Sequence, residues 1–251
     1  MQAHHLSIFK CMSSDEAGHC EWICLWTKVR QSAFSVNESP LSMPRSPTLQ
    51  IQIPSSLPPR STGTCRIPPY AVLLTQPLPS TDKAVAALRT HPSTLKYLRF
   101  LPSDVSEEEI RKETEGAENG DTRYLFNVFI DGVFGGISGL NRIDLLNSSC
   151  HAGLILAEEF HGSGLATVTL YLLFKFAFEE LGLHRVVLET GEDNLSMRGW
   201  LENVAGIRQE GIMKEAWKDP GDRWTDMLSY AVLDSEWMNT VKKRLVTKIG
   251  I

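Results

Sequence analysis

Two glycines, Gly162 and Gly164, lie between an apolar run typical of a strand and a long apolar stretch typical of a helix. Residues without a Cβ let the backbone turn sharply and point several N–H groups in one direction. At a helix start, these donors coincide with the positive end of the helix dipole, which favours a phosphate or pyrophosphate. The glycines therefore predict an anion site made of backbone. An ordinary tight turn between strand and helix is the alternative.

Two familiar nucleotide-binding motifs do not fit this segment. A Walker loop needs Gly-Lys followed by Ser or Thr at the helix start, whereas Gly164 is followed by Leu165 and Ala166. A dinucleotide-binding fold places its glycines after the first strand of the domain, whereas three predicted strands precede this one. Both of these classes of nucleotide site are therefore excluded.

The surrounding pattern predicts an α/β (α+β) domain with a mixed sheet. Strands are expected at residues 70–75, 124–130, 133–140, 150–156, 185–190, 209–214 and 226–233, and helices at residues 80–89, 104–113, 162–181, 194–204 and 235–248. Asp131-Gly132 is a favoured two-residue hairpin turn, and residues 119–121 indicate another turn. The helix at residues 162–181 is apolar on nearly every side, so it should be buried and form a parallel crossover.

The segment at residues 161–166, His-Gly-Ser-Gly-Leu-Ala, resembles the acetyl-CoA signature of the GNAT superfamily of N-acetyltransferases, Gln/Arg-x-x-Gly-x-Gly/Ala. Residues 153–167 are similar to the branch that contains the ribosomal-protein alanine N-acetyltransferases and the spermidine acetyltransferases. Residues 194–202 resemble that branch's Asn-x-x-Ser-x-Arg-x-Leu-Glu element. The resemblance covers residues 66–245. It implies a GNAT-type acyl-CoA N-acyltransferase fold, a mixed central sheet flanked by helices, with acetyl-CoA as co-substrate.

The resemblance also implies a role for each matched position. The strand backbone at Leu154, Ile155 and Leu156 would bind the pantetheine arm and help to polarise the thioester carbonyl. Backbone N–H groups would hold the pyrophosphate; they belong to His161, Gly162, Ser163, Gly164, Leu165, Ala166 and Thr167. Asn194 would contact the cofactor from the following helix.

Three positions depart from the family pattern. His161 replaces the usual Arg or Gln, although a backbone donor works with either. Met197 replaces the usual Ser, and Leu201 stands where many relatives have a Tyr that protonates the leaving thiolate. No general acid is identified. A catalytically weakened acyl-CoA-binding module, or a protein-interaction module that uses the same fold without a cofactor, is therefore the alternative to an enzyme.

His151 is the candidate general base, at a position where relatives of this branch often carry a Glu. By strand alternation it shares a face with Gly153 and Ile155, whereas its neighbour Cys150 faces the other way and is no evident nucleophile. A free imidazole, with a pKa of about 6.5, is a weak base, which favours an α-amine with a pKa of about 8 over a lysine amine at about 10.4. The alternative is a half-buried strand histidine with a structural hydrogen bond.

The predicted helix at residues 104–113, with the loop that follows, is strongly acidic, and Ser106 with Glu109 matches a capping box. In the family that the chain resembles, this region borders the acceptor entrance, and a negative rim there would concentrate cationic amines. A solvated helix face is the commoner explanation and the one preferred here. Trp200 is interpreted as a core residue, and the basic cluster at residues 242–244 as solvated.

The net charge, the apolar stretches and the cysteine count exclude further classes of protein. A net charge of −5 at pH 7 argues against a general nucleic-acid binder, and no apolar stretch is long enough to cross a bilayer. Acidic residues near Met1 argue against a targeting signal. Five cysteines, an odd number at irregular spacing, predict reduced thiols and a cytoplasmic location.

Residues 1–65 are rich in Ser, Pro and small polar residues, and they are predicted to be a disordered lead with a Pro/Ser-rich linker before a single domain at residues 66–251. This lead contains possible zinc ligands, namely His4, His5, Cys11, His19, Cys20 and Cys24. Their spacing does not match the common sites, so no metal is predicted.

The sequence thus predicts an N-acetyltransferase that transfers the acetyl group of acetyl-CoA to a primary amine. The acceptor would be a peptide N-terminus or a small amine, attacking directly in a ternary complex without a covalent enzyme intermediate. A monomer or homodimer is expected, without nucleic-acid or membrane partners.

Overall fold

A computed structural model of the chain describes residues 63–67, 70–118, 122–218 and 221–250. The predicted lead, apart from residues 63–65, and the predicted turn at residues 119–121 lie outside the described residues. Within the described ranges, no helix combines the length and apolar character needed to span a bilayer.

One eight-stranded mixed sheet forms the centre of the fold, in the order β1-β2-β3-β4-β5-β6-β8-β7. The strands are β1 (Gly63–Ile67), β2 (Tyr70–Thr75), β3 (Tyr124–Ile130), β4 (Val133–Asp144), β5 (Ser149–Leu156), β6 (Arg185–Gly191), β7 (Arg208–Lys218) and β8 (Trp224–Leu233). β5 and β6 are parallel, and the other neighbouring pairs are antiparallel. The predicted mixed α/β architecture is confirmed.

The helices are α1 (Asp82–Thr90), α2 (Pro92–Leu95), α3 (Glu107–Glu118), α4 (Leu165–Lys175), α5 (Leu195–Gly199), α6 (Asp234–Glu236) and α7 (Lys242–Ile249). Three π-helical segments extend this set: Phe176–Glu180 continues α4, Trp200–Ala205 continues α5, and Trp237–Val241 joins α6 to α7. α4 makes the crossover between the parallel strands β5 and β6, as predicted.

The β3–β4 hairpin turns at Asp131 and Gly132, as predicted. Their φ angles are +51° and +82°, the left-handed pair that a two-residue hairpin turn requires. The Asp131 carboxylate also accepts the backbone N–H of Ala71 at 2.8 Å, which ties the turn to β2. Asp131 therefore both forms the hairpin turn and holds the hairpin to the neighbouring strand β2.

The two faces of the sheet have separate apolar contacts. α4 is buried on one face, together with Trp237 and Leu245 from the C-terminal helices, in the main core. A smaller cluster lies on the other side, where Val85 of α1 and Ile110 of α3 pack near Ile137 of β4. Ile137 pairs with Ile155 of β5, so Ile155 also lies on this second face. By strand alternation, Gly153 and His151 lie on the same face as Ile155.

Several element boundaries differ from the predictions for physical reasons. The crossover helix begins at Leu165 and not at residue 162, because Gly162 and Gly164 have left-handed φ angles that α-helical hydrogen bonding does not accept. β7 extends to Lys218, although only residues 209–214 were predicted, since it is an edge strand exposed along most of its length and lacks apolar alternation. β1 and α2 were not predicted; β1 begins three residues before the predicted domain boundary at residue 66.

Candidate functional site

β5 and β6 separate soon after they pair. They share three residue pairs, Ser149 with Arg185, Cys150 with Val186 and His151 with Val187. Beyond His151, β5 continues along β4 to Leu156, while β6 continues along β8 to Gly191. We call this opening, formed by residues 151–156 and 187–191, the fork. Among the described residues no strand pairs with the β5 edge that lines the fork. The backbone groups of this edge are therefore available to an extended ligand, except the Leu156 carbonyl, which contacts His161.

The glycine loop follows the β5 arm of the fork. Gly162 has φ +72°, and Gly164, the N-cap of α4, has φ +83°. A Cβ added at either position would meet no atom within 4 Å. Glycine is therefore needed for the left-handed backbone and not because neighbouring atoms crowd it. The space in front of the loop is open to a ligand.

The N–H groups of this loop are divided between internal bonds and free donors. His161 N–H donates to the Glu158 carbonyl and Thr167 N–H to the Gly164 carbonyl, both at 3.0 Å. The five N–H groups of residues 162–166 have no acceptor within the described part of the chain. They lie at the N-terminus of an 11-residue helix, where the helix dipole favours an anion. The geometry therefore supports the predicted anion site, with residues 162–166 as its free donors.

The side chains of this segment anchor the loop. His161 Nε2 lies 2.9 Å from the Leu156 carbonyl oxygen, and because a carbonyl only accepts, this nitrogen carries the proton. The Ser163 hydroxyl donates to the Phe160 carbonyl at 2.5 Å. The departure from Arg or Gln at position 161 thus gives a side chain that ties the loop to the end of β5.

A third element, α5, approaches the start of α4. Asn194 caps α5: its Oδ1 accepts the N–H of Met197 at 3.1 Å, which leaves its amide NH₂ directed elsewhere. Trp200 Nε1 donates to Thr167 Oγ1 at 3.0 Å and so links this helix to the first turn of α4. Leu201 is fully buried in the main core. The position where many relatives have a Tyr therefore contributes packing and no proton donor.

His151 is the last residue of β5 that pairs with β6, and it stands at the apex of the fork. Its Nδ1 lies 3.5 Å from Oε2 of Glu189, on the β6 arm. Arg142 at the end of β4 places its Nη1 3.8 Å from the same oxygen. Contact with His151 holds the pKa of the Glu189 carboxyl below its usual range. The apex thus contains an imidazole beside a carboxylate that stays ionised.

Cys150 faces the main core, opposite to His151, and is 1% exposed. Burial raises the pKa of its thiol to about 12, so very little of the reactive thiolate is present at pH 7. We therefore expect no alkylation of Cys150 by iodoacetamide in the folded chain and full alkylation in denaturant, measured by peptide mass spectrometry. Rapid labelling of the folded chain would contradict this and reopen a covalent mechanism.

Arg99 joins two elements near the end of the β6 arm. Arg99 donates to Thr225 Oγ1 at 2.9 Å and forms an ion pair with Asp193, beside the cap of α5. The next residue, Phe100, packs on Trp217 with ring centroids 5.2 Å apart. A shallow cleft of about 550 Å³ opens beside these contacts, lined by residues 99–104 on one side and by Lys218 and Asp222 on the other.

Several carboxylates of the acidic helix α3 are paired with other groups of the chain. Glu109 accepts from the backbone and the hydroxyl of Ser106, which confirms the capping box. Glu113 pairs with Arg89 and Glu108 with Lys112. This arrangement favours the interpretation of α3 as an ion-paired, solvated surface.

The sequence matches the acetyltransferase (GNAT) domain family over residues 72–207, more than half of the chain. The chain belongs to the GNAT acetyltransferase family. The matched range contains the fork, the glycine loop and α5, so the resemblance inferred from residues 153–167 is confirmed.

Two curated relatives of this GNAT chain are bacterial. YdaF of Bacillus subtilis (strain 168), which bears the name of a ribosomal N-acetyltransferase, is 32% identical over 107 residues, covering 43% of this chain and 57% of YdaF. YjcK of the same strain, named as an N-acetyltransferase, is 30% identical over 119 residues, covering 46% of this chain and 65% of YjcK. The match thus spans less than two thirds of either relative.

Solved structures share the GNAT fold over more of the chain. Mycobacterium smegmatis RimJ, in complex with CoA-disulfide, aligns with a TM-score of 0.67 at 23% identity, covering 75% of this chain and 94% of RimJ. The Vibrio cholerae spermidine N-acetyltransferase, in complex with CoA and spermine, aligns with a TM-score of 0.62 at 20% identity, covering 67% and 98%. These likenesses show the fold.

The GNAT chain brings most of the predicted site residues around one opening. Residues 154–156 line the β5 arm, residues 161–167 form the loop, and Asn194 and His151 lie at α5 and at the apex. Sequence reasoning missed Glu189. In the sequence, Glu189 is recognisable only as lying two residues after Val187 and therefore on the same face of a predicted strand. That position points to His151 only when the pairing of Val187 with His151 is known.

Proposed function

We propose that this GNAT chain is an acetyl-CoA-dependent N-acetyltransferase acting on a primary amine. The observation that carries the proposal is the fork itself: an unpaired strand edge, a helix N-terminus with five free N–H groups and an imidazole converge on it. Such a combination suits a ligand with an extended polar arm and a pyrophosphate. Family membership supports acetyl-CoA as that ligand.

The chain's groups would divide the binding work. The backbone of Leu154 and the N–H of Leu156 would hydrogen-bond the pantetheine arm as a strand partner. Ile155 lies between them, but strand alternation points its own N–H and C=O at β4. Asn194 would offer its amide NH₂. The N–H groups of residues 162–166 would surround the pyrophosphate, whereas those of His161 and Thr167 already donate within the chain and would not contribute. Bound acetyl-CoA supplies an activated thioester. No positively charged side chain is required at the loop, because the donors and the helix dipole supply the positive potential.

Catalysis requires a neutral amine and a stabilised thioester oxygen. His151, at the apex and 30% exposed, would accept the amine proton directly or through water. A backbone N–H of the β5 edge would polarise the carbonyl. The amine would attack directly in a ternary complex, and the buried thiol of Cys150 argues against a covalent enzyme intermediate.

The acceptor proposed is a peptide N-terminus or a small amine. Two similar proteins support these acceptor classes: one is named a ribosomal N-acetyltransferase, and the other is a spermidine N-acetyltransferase whose structure contains spermine. An imidazole base suits an α-amine with a pKa of about 8 better than a lysine amine at about 10.4. A cytoplasmic location, a monomer or homodimer, and the absence of a metal remain predictions.

A catalytically weakened acyl-CoA-binding module is the second candidate. The fully buried Leu201 favours it, because this position offers no proton to the leaving thiolate. Both candidates require the loop and the open strand edge. They differ in turnover alone.

Calorimetric titration of acetyl-CoA into the chain, with a free-thiol release assay over a panel of peptides and small amines, tests both. Micromolar binding with amine-dependent thiol release supports the enzyme. Binding without release on any acceptor supports the binding module, and absence of binding removes both.

A further inference from the structure

Glu189 lies where the two arms of the fork begin to separate. Val187 of β6 pairs with His151 of β5, and Glu189 is the next residue of β6 on the same face. Its Oε2 lies 3.5 Å from Nδ1 of His151. The Glu189 side chain is 22% exposed, so its charge is partly removed from water and needs a partner.

His151 is the nearest ionisable partner of the Glu189 carboxylate, and the other charged groups nearby lie farther away or pair elsewhere. Arg142, 3.8 Å from Oε2, has a largely exposed side chain. Arg185, earlier on the same face of β6, is committed to Glu210 of β7.

The helices on this face pair their own charges. Asp82 of α1 binds Arg111 of α3, and Arg89 binds Glu113. Neither pair involves the carboxylate at the apex.

The Nδ1 contact decides which nitrogen of His151 can act as a base. A carboxylate only accepts hydrogen bonds, so the proton of the neutral imidazole belongs on Nδ1, and Nε2 keeps its lone pair. A separation of 3.5 Å is long for a hydrogen bond, and contacts of this kind commonly shorten when substrate binds.

We propose that Glu189 is a positioning residue for His151: it accepts the Nδ1–H and thereby presents Nε2 to the acceptor amine. This inference rests on the proposed function. Nε2 of His151 removes one proton from the acceptor ammonium. The neutral amine nitrogen of the acceptor then forms the bond to the thioester carbon. As the C–S bond breaks, the second proton passes to the CoA thiolate, and His151 releases its proton to water. Glu189 stays ionised throughout.

Glu189→Gln tests the inference against Glu210→Gln as a matched control, because Glu210 is similarly shielded and ion-paired but belongs to β7. We expect kcat to fall about 10- to 100-fold in Glu189→Gln, by analogy with the losses found when the carboxylate partner of a metal-bound histidine is removed. The KM and the calorimetric Kd for acetyl-CoA should stay within about twofold of the wild-type values, since binding uses the loop and the β5 edge. Glu210→Gln should match the wild type in all three quantities.

Two further readouts separate positioning from general structural support. In a His151→Ala background, Glu189→Gln should cause no additional loss of kcat, because its effect passes through the imidazole. Nitrogen-detected NMR should find the His151 proton on Nδ1 in the wild type and shifted towards Nε2 in Glu189→Gln.

The outcomes distinguish this inference from the proposed function. Wild-type turnover with an unchanged kcat in Glu189→Gln, or with a loss that persists in the His151→Ala background, overturns the inference alone. A wild-type chain that does not bind acetyl-CoA overturns the proposed function and the inference together.

Discussion

Replacing Gly164 with valine is expected to raise the dissociation constant for acetyl-CoA at least about a hundredfold, equivalent to about 2.7 kcal/mol. At φ +83°, a β-branched residue is strained, and relief of that strain rotates the N–H groups that begin α4. The valine side chain would also project into the open space where the anion is proposed to lie. Isothermal titration calorimetry measures this loss directly.

Gly182→Val is the matched control for strain. Gly182 has φ +64° and also has no atom within 4 Å of an added Cβ, but it follows the far end of the crossover helix. Both variants should lose comparable thermal stability, and only Gly164→Val should lose acetyl-CoA binding. Equal binding losses in the two would attribute the effect to general destabilisation, and unchanged binding in Gly164→Val would remove the loop from the site.

Replacing His151 with alanine is expected to lower kcat at pH 7 about 10²- to 10⁴-fold, the contribution typical of a general base. The Kd for acetyl-CoA should not change, because the imidazole lies at the apex of the fork and not at the loop. The variant should recover activity as the pH rises towards the pKa of the acceptor amine, since the amine then loses its proton without help. Thiol-release rates at saturating substrate from pH 6 to pH 10 provide the measurement.

His184→Ala serves as the control for this variant. His184 also faces a carboxylate, with Nδ1 3.2 Å from Asp234 Oδ1, but it precedes β6 at the end away from the opening. Its replacement should leave kcat unchanged at every pH. Wild-type kcat at pH 7 in His151→Ala would show that the imidazole is structural, which was the alternative weighed from the sequence.

Local chemistry made much of the fold predictable from sequence. The Asp131-Gly132 dipeptide between two apolar runs located β3 and β4, because such a turn requires left-handed φ angles. The continuous apolar stretch located α4 as a buried crossover. Gly162 and Gly164 indicated a special backbone, although the sequence alone did not show that they delay the helix start to Leu165.

The unpredicted features depend on contacts between distant residues. The Arg99 bond to Thr225 joins positions 126 residues apart, and no local pattern encodes it. The separation of β5 from β6 after three pairs follows from their stronger commitment to β4 and β8, which is a property of the assembled sheet. Glu189 became visible as a partner of His151 only after that register was known.

The short junction between β5 and β6 also affects the resistance of the domain to unfolding. Among the described residues, the backbone seam between the β1–β5 and β6–β8 portions of the sheet is short: three residue pairs and the adjoining bonds to the Ser148 carbonyl. Much of the cohesion between the two portions must therefore come from α4 and the packed core. A ligand lying along the open edge would lengthen this seam, and it would stabilise the folded chain by about 2.7 kcal/mol at a hundred times its Kd. The ligand would then be a structural component as well as a reactant, and the free chain would be the state in which cooperativity across the sheet is weakest.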